Sequence, residues 1–205
     1  MNDYKERPLY AKVILLGNKR AGKTTLLKRF VNGTFDPSTQ ETIEESYLTK
    51  DVFVKGSTKT KRFITLQICD PKRAERGDTI NAAYYGDAKA VIYVGALDDD
   101  KLEENLKFNE EDTESKIDKT AYRFYVGSKK DVFDKETKEK NNMLSDVAGK
   151  LEQTYKERFY RVSSKTGEGV DTLFKDVAEA IAKSFPGKIR RKRSAKKSKS
   201  WCPLM

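Results

Sequence analysis

Short, mainly apolar runs separated by longer segments of helical periodicity define the predicted architecture of this chain. Such runs occur at residues 11–16, 90–94, 121–126 and 159–162. Continuous apolar runs are typical of strands that are buried on both faces of a parallel sheet. We therefore predict buried strands at these positions.

A second kind of strand is predicted where apolar and polar residues alternate. Residues 46–54 and 62–68 alternate in this way on either side of the polar segment 55–58. This pattern predicts a β-hairpin. Residues 32–45, which lead into the hairpin, are polar and are predicted to form a loop.

Helices are predicted where apolar residues recur with a period near 3.6. Such segments are residues 25–31, 101–117, 142–158 and 170–184. The order β-α-β-β-α-β-α-β-α-β-α, which includes a further helix between the strands at 62–68 and 90–94, predicts an α/β fold with a mostly parallel, six-stranded sheet that carries helices on both faces. Ligands of such folds bind beyond the carboxyl ends of the strands, so the loops that follow strands are the candidates for chemistry.

The loop after the first predicted strand carries a phosphate-binding pattern. Gly17, Gly22, Lys23 and Thr24 match G-x-x-x-x-G-K-[ST] between a predicted strand and a predicted helix. Glycines let consecutive backbone N–H groups point inward, and the helix N-terminus adds partial positive charge. We expect Lys23 to reach the β- and γ-phosphates of a nucleotide and the Thr24 hydroxyl to bind Mg²⁺.

Charge divides the chain into two parts. The net charge is +10, from 42 Lys and Arg against 32 Asp and Glu in 205 residues. Residues 186–205 hold eight basic residues and no acidic residue, so residues 1–185 carry only +2. We predict one domain at 1–185 and a flexible polybasic tail at 186–205, and we expect no nucleic-acid-binding surface on the domain.

Other residue types restrict the chemistry and the setting. The chain has no His, which excludes histidine-based catalysis and histidine metal sites. Cys69 and Cys202 lie far apart and no secretory signal is present, so a reducing cytosolic setting is expected. No apolar run approaches the ~20 residues of a membrane span.

Several loops, taken in order, resemble those of the Ras superfamily of small GTPases over nearly all of residues 8–185. Besides the phosphate loop, they are 42–47 (Thr-Ile-Glu-Glu-Ser-Tyr), 68–70 (Ile-Cys-Asp), 128–131 (Ser-Lys-Lys-Asp) and 163–167 (Ser-Ser-Lys-Thr-Gly). Segments 83–88 and 163–167 look Rab-like and 42–47 looks Ras-like, so the chain is identified as a divergent Rab- or Ras-like member, with the G-domain fold of that family.

The resemblance implies a magnesium site and a switch. Thr42 would join Mg²⁺ only when a γ-phosphate is present, and Asp70 would lie behind the metal, so the implied metal site is Thr24, Thr42 and Asp70. Lys23 and Thr42 are the candidate catalytic residues. Effector proteins would meet the chain at 42–47 and at 70–82.

The resemblance also implies guanine recognition by Phe35, Lys129, Asp131 and Lys165. A carboxylate at 131 accepts hydrogen bonds from the guanine N1–H and 2-amino groups, and adenine would leave it unpaired at a cost of ~1–3 kcal/mol. Phe35 has an alternative role as a loop aromatic in a minor core. The candidate nucleotide contacts are Gly17, Lys19, Arg20, Ala21, Gly22, Lys23, Thr24, Thr25, Phe35, Thr42, Asp70, Ser128, Lys129, Asp131, Ser163, Ser164 and Lys165.

The third loop departs from the family pattern Asp-Thr-Ala-Gly-Gln-Glu, because residues 70–75 are Asp-Pro-Lys-Arg-Ala-Glu. Ala74 replaces the glutamine that orients the attacking water, and Arg73 replaces a mobile glycine. Lys19 and Arg20 replace small residues where an activator's arginine would enter. We expect slow GTP hydrolysis with little response to such activators; alternatively, Lys19, Arg20 or Arg73 supplies positive charge from within the chain.

Ser128 is a milder departure, since the family has asparagine at this position. The asparagine side chain ties the base loop to the phosphate loop, and serine is shorter. We expect looser nucleotide binding, by ~1–3 kcal/mol.

The tail carries a lipidation pattern. Residues 202–205, Cys-Pro-Leu-Met, match C-a-a-X, and the final methionine favours a farnesyl group on Cys202. One lipid chain binds a membrane only marginally, and a polybasic segment supplies the second signal. We expect lipid anchoring at the cytoplasmic face of the plasma membrane or an endomembrane. Nuclear import or RNA binding by the basic run is the alternative.

The combined expectation is a monomeric, membrane-anchored switch in signalling or vesicle trafficking that binds GTP or GDP with Mg²⁺. Its expected partners are effectors, an exchange factor, a prenyltransferase and an anionic membrane surface. The broken third loop favours an alternative, a pseudo-GTPase binding module that needs no nucleotide. An ATP-using enzyme is a third possibility, although no second catalytic constellation supports it.

Overall fold

Strands and helices alternate along the part of the chain that the structure describes, which in this computed structural model is residues 9–37, 46–55, 62–71, 82–135, 138–185 and 190–191. The strands are β1 (Tyr10–Leu16), β2 (Ser46–Val54), β3 (Arg62–Asp70), β4 (Ala88–Ala96), β5 (Tyr122–Ser128), β6 (Phe159–Arg161) and β7 (Arg190–Arg191). The α-helices are α1 (Lys23–Asn32), α2 (Ala82–Tyr85), α3 (Leu102–Thr113), α4 (Lys130–Phe133), α5 (Lys138–Tyr155) and α6 (Val170–Ser184).

The sheet has the predicted composition. Six strands follow the order β2-β3-β1-β4-β5-β6, and every neighbouring pair along this path is parallel except β2 with β3. The antiparallel pair is the predicted hairpin, with Ser46 opposite Asp70 and Val54 opposite Arg62. The predicted α/β fold with a mostly parallel, six-stranded sheet is confirmed.

Helices cover both faces of the sheet because successive side chains of the central strands pack into two different apolar clusters. In β1, Val13 and Leu15 enter a cluster with α1 and α6, whereas Ile14 and Leu16 enter a second cluster with α3 and α5. All four side chains are at most 1% exposed. A strand buried on both faces needs apolar residues at successive positions, which is why the 11–16 run predicts it.

The edge strand β2 is covered on one face only. Val52 and Val54 are buried against the α1–α6 side, whereas Tyr47 is 54% exposed and Phe53 is 50% exposed. This difference follows from the period of two in a strand, which sends alternate side chains to opposite faces.

Several helix boundaries differ from those predicted. The helix predicted at 101–117 ends at Thr113, and the helix predicted at 142–158 starts at Lys138 and ends at Tyr155. A 3₁₀ turn, Lys156–Arg158, then continues the second helix. The short helix α4 has too few residues to show a helical period and was not predicted. Residues 38–45, 56–61 and 72–81 lie outside the described residues.

Two residues of the predicted tail belong to the sheet. Arg190 and Arg191 pair antiparallel with Phe63 and Arg62 of β3. They occupy the edge of β3 just before β1 begins its own pairing, at Tyr10 opposite Thr65. This part of the 186–205 segment is therefore not separate from the domain.

Candidate functional site

The phosphate loop joins β1 to α1 and lies directly on β4. A Cβ atom built on Gly17 would lie 2.0 Å from the carbonyl oxygen of Val94, so the backbone approaches more closely than any side chain permits. Gly22, just before α1, has φ 86° in the left-handed region. The two glycines of the pattern thus serve two purposes, a close approach and a turn.

Lys23 is the first residue of α1 and reaches back across the loop. Its ammonium nitrogen donates to the carbonyl oxygens of Gly17 and Asn18, each at 3.0 Å. The helix contributes partial positive charge at the same point. The arrangement places a cation, the N–H groups at the start of α1 and a glycine turn together, which is the chemistry that binds phosphate.

Thr24 and Asp70 meet at the carboxyl end of β3. The Thr24 hydroxyl donates a hydrogen bond to Asp70 Oδ2, and Asp70 is 1% exposed. Burial raises the pKa of the Asp70 carboxyl, while the Thr24 hydrogen bond and the positive charge of Lys23 act in the opposite direction. A buried carboxylate beside a hydroxyl supplies the oxygen ligands that Mg²⁺ prefers, so these residues fit the metal that the sequence implies.

Ser128 ties the end of β5 to the phosphate loop. Its hydroxyl donates to the carbonyl oxygen of Ala21 at 2.6 Å, and the serine is 1% exposed. The looser nucleotide binding that the shorter serine leads us to expect stays a prediction. The tie is present because the two backbones approach closely here, with Ser128 Oγ only 3.3 Å from a Cβ built on Gly22.

Lys129 and Asp131 follow Ser128, and each side chain is held by a partner from another loop. Lys129 has φ 60°, which turns the chain into α4, and its ammonium lies 3.2 Å from both carboxylate oxygens of Asp98. Asp131 accepts a hydrogen bond of 2.6 Å from the Ser163 hydroxyl. The candidate base loop at 128–131 is therefore joined to the last loop.

The last loop is a compact turn held by its own backbone. The Gly167 N–H donates to the Ser163 carbonyl at 2.8 Å, and the Thr166 N–H donates to Ser163 Oγ at 3.1 Å. Ser164 is buried, whereas Lys165 is exposed. Ser163 thus closes the turn and meets Asp131 with the same hydroxyl.

Arg29 is a site residue that sequence reasoning missed. Its guanidinium donates to the carbonyl oxygens of Ser164 and Lys165, and also to that of Gly33 at 2.7 Å. Arg29 thereby clamps the last loop onto the end of α1. A basic residue in the last turn of a helix is the only sequence signal, and it does not name a partner.

The structure brings most of the predicted site residues to one edge of the sheet. The remaining predicted residues are exposed, half-buried or outside the described residues. Lys19 and Arg20 are exposed on the phosphate loop, and Phe35 and Thr25 are half-buried. Thr42, Arg73, Ala74 and Cys202 lie outside the described residues.

Two findings restrict other kinds of site within the described residues. No group of three or more Cys, Asp, Glu or His side chains there is arranged to hold a metal ion. None of the described helices has the length and hydropathy needed to cross a membrane.

Comparison with known proteins agrees with this geometry. The model of the Ras family matches residues 12–183. Ras-related protein Rab-13 of Mesocricetus auratus is 30% identical over 94% of this chain and 95% of its own length. Rab-34 of Rattus norvegicus is 32% identical over 82% of this chain and 62% of its own length. SEC4 of Candida albicans (strain WO-1) is 32% identical over 83% of this chain and 76% of its own length.

Replacing Gly17 with alanine tests the close packing of the phosphate loop. We expect Gly17→Ala to lower the free energy of unfolding by about 1–3 kcal/mol, because the new methyl group would overlap the Val94 carbonyl. Gly149→Ala is the matched control, since nothing lies within 4 Å of its Cβ and the residue is helical. Denaturant unfolding should show the control unchanged or more stable. Equal stability of the two variants would contradict the packing described here.

Proposed function

Because this chain belongs to the Ras family and is a Rab-like small GTPase, a guanine-nucleotide switch, we propose that it is anchored to membranes, hydrolyses GTP slowly and acts in signalling or vesicle trafficking. The observation that carries the proposal is the meeting of three loops at the carboxyl edge of the sheet. The Ser128 hydroxyl joins the base loop to the phosphate loop, and Asp131 joins it to the last loop.

In this proposal the phosphates bind over the 17–24 loop. Lys23 reaches the β- and γ-phosphates, and the contacts that it now makes with the Gly17 and Asn18 carbonyls keep its ammonium at the mouth of the loop. Backbone N–H groups at the start of α1 add further donors. Phosphoryl transfer depends mainly on such positioning and charge.

Thr24 and Asp70 would hold Mg²⁺, with Thr42 joining them in the GTP state. The metal supplies positive charge next to the phosphates. The Thr24 hydroxyl and the Asp70 carboxylate already face each other, which supports this assignment. Thr42 enters only through its resemblance to the family.

Guanine would be held by Asp131, with the Lys129 stem along the base and Phe35 and Lys165 beside it. Asp131 already accepts one hydrogen bond from Ser163, which leaves further acceptor positions on its two oxygens for the guanine N1–H and 2-amino groups. Arg29 would keep the last loop close to the base through its contacts with the Ser164 and Lys165 carbonyls.

Partner proteins would use the segments that change with the nucleotide. Effectors would meet 42–47, which ends in the exposed Tyr47 of the edge strand β2, and also 70–82. An exchange factor would open the same region. A prenyltransferase would modify Cys202, and the eight basic residues of the tail would add attraction to an anionic membrane.

A second candidate function is a binding module that needs no nucleotide. The sequence of the third loop, with Arg73 and Ala74, favours it. The tie from Ser128 to the phosphate loop, the Thr24–Asp70 contact and the position of Asp131 favour the switch.

Nucleotide release from the purified full-length chain is the first test. We expect stoichiometric guanine nucleotide after denaturation, mostly GTP because hydrolysis is slow. Asp131→Ala should lower the affinity for GTP by about 5- to 150-fold, since guanine loses its carboxylate partner. Asp134→Ala, an exposed neighbour in the same helical turn, is the control and should bind normally. A chain that purifies empty and ignores added GTP with Mg²⁺ would favour the nucleotide-independent module.

Single-turnover hydrolysis tests the effect of the third loop. We expect a rate below the ~10⁻⁴ s⁻¹ of unaided Ras, because Ala74 cannot orient water. Ala74→Gln should raise the rate about tenfold by restoring one positioned hydrogen-bonding group. Ala74→Leu adds similar bulk without an amide and should leave the rate low. A native rate at or above that of unaided Ras would contradict this part of the proposal.

Localisation of the full-length chain in cells tests the anchor. We expect Cys202→Ser to release the protein from membranes, because the basic segment alone binds an anionic surface weakly. Ser200→Ala changes a neighbour without touching the motif and should remain bound. Unchanged membrane localisation of Cys202→Ser would refute lipid anchoring at this cysteine.

A further inference from the structure

A row of polar side chains runs along the buried side of α3 toward the phosphate loop. The Asn105 amide donates to Asp99 Oδ2 at 2.8 Å, and the Asn109 amide donates to Asn18 Oδ1 at 3.1 Å. Asn109 also donates to the carbonyl oxygen of Asn105. Thr113 continues the row by donating to the Asn109 carbonyl at 2.7 Å.

These residues occupy positions where apolar side chains would ordinarily pack. Asn109 is 1% exposed and Thr113 is fully buried, and their neighbours Leu102 and Leu106 belong to the apolar cluster under α3. Burying an amide costs free energy unless it is hydrogen-bonded. The bond from Asn109 to Asn18, which are 91 residues apart in sequence, offsets that cost and links α3 to the phosphate loop.

Asn18 is held at its main chain as well as at its side chain. Its carbonyl oxygen accepts from Lys23 Nζ at 3.0 Å and from the Ala21 N–H at 3.2 Å. Asn18, which accepts the hydrogen bond from Asn109, is therefore also the residue whose carbonyl closes the loop turn and binds the Lys23 ammonium.

Resting on the nucleotide site proposed above, we propose that Asn109 is a positioning residue that holds the phosphate loop in its binding conformation through Asn18. The loop has two further attachments, Gly17 against Val94 and Ala21 to Ser128. Asn18 lies between them, and its side-chain bond to Asn109 attaches the loop to a further element, α3. Pre-ordered donors bind phosphate without the cost of arranging them at each encounter.

The consequence is a specific effect on nucleotide retention. Loss of the tie lets the loop leave its binding conformation, so bound nucleotide dissociates faster. In this proposal Asn109 acts through Asn18 and the loop turn that the Asn18 carbonyl closes.

A double-mutant cycle on the full-length chain tests this proposal. The variants are Asn18→Ala, Asn109→Leu and the pair, and the measurement is dissociation of a fluorescent GDP analogue into excess unlabelled GDP with Mg²⁺. We expect each single variant to raise the dissociation rate about three- to tenfold, and the pair to raise it no further than the larger single effect. Thr154→Val removes the same kind of helical hydroxyl bond from α5, where Thr154 donates to the Lys150 carbonyl, and should leave the rate unchanged.

The outcomes separate a positioning role from a structural one. Independent, multiplicative effects of the two substitutions on the dissociation rate would overturn the proposal, even if both variants melt at lower temperature. If Asn109→Leu does not fold, Asn18→Ala alone decides, and an unchanged rate would refute the tie. A wild-type chain that binds no GDP analogue would refute the proposed function together with this inference, whereas normal binding without coupling refutes the inference alone.

Discussion

The packing of Gly17 against the backbone of Val94 is the constraint on which the functional edge of this molecule depends. It brings the end of β1 so close to β4 that the following residues must turn across the carboxyl edge of the sheet. α1 then starts at Lys23, with its N-terminus directed at the space above that edge. The position of the phosphate loop therefore follows from strand packing, and helix polarity supplies its charge.

The loops at this edge are joined to one another by side-chain hydrogen bonds, in addition to the bonds within each turn. Ser128 bonds to the phosphate loop, Asp131 to Ser163, and Arg29 to the backbone of Ser164. Each bond crosses between segments that are distant in sequence, so a change in one loop is felt in the others. Such coupling suits a site that must respond as a unit to one bound molecule.

Local patterns predicted the residues whose role is set by their nearest neighbours. Lys23 and Thr24 are identified by the glycine pattern, and Asp70 by the resemblance of the loop after the third strand to that of the family, so these could be named from the sequence. Arg29 and Asn109 could not, because their partners are 135 and 91 residues away and helix periodicity gives no sign of them. The bond from Ser128 to the phosphate loop could not be predicted either, since its reach depends on a backbone separation that the residue type does not encode.

The pairing of β7 with β3 has a mechanical consequence for the geometry of anchoring. Arg191 lies opposite Arg62, at the amino end of β3, so the chain leaves the sheet at the end remote from Asp70. Cys202 is 11 residues further on and can reach at most about 40 Å, whereas a tether starting at Phe185 would span up to about 60 Å. If Cys202 carries the proposed lipid, the chain between the sheet and the lipid is therefore shorter by about 20 Å than one that starts at Phe185.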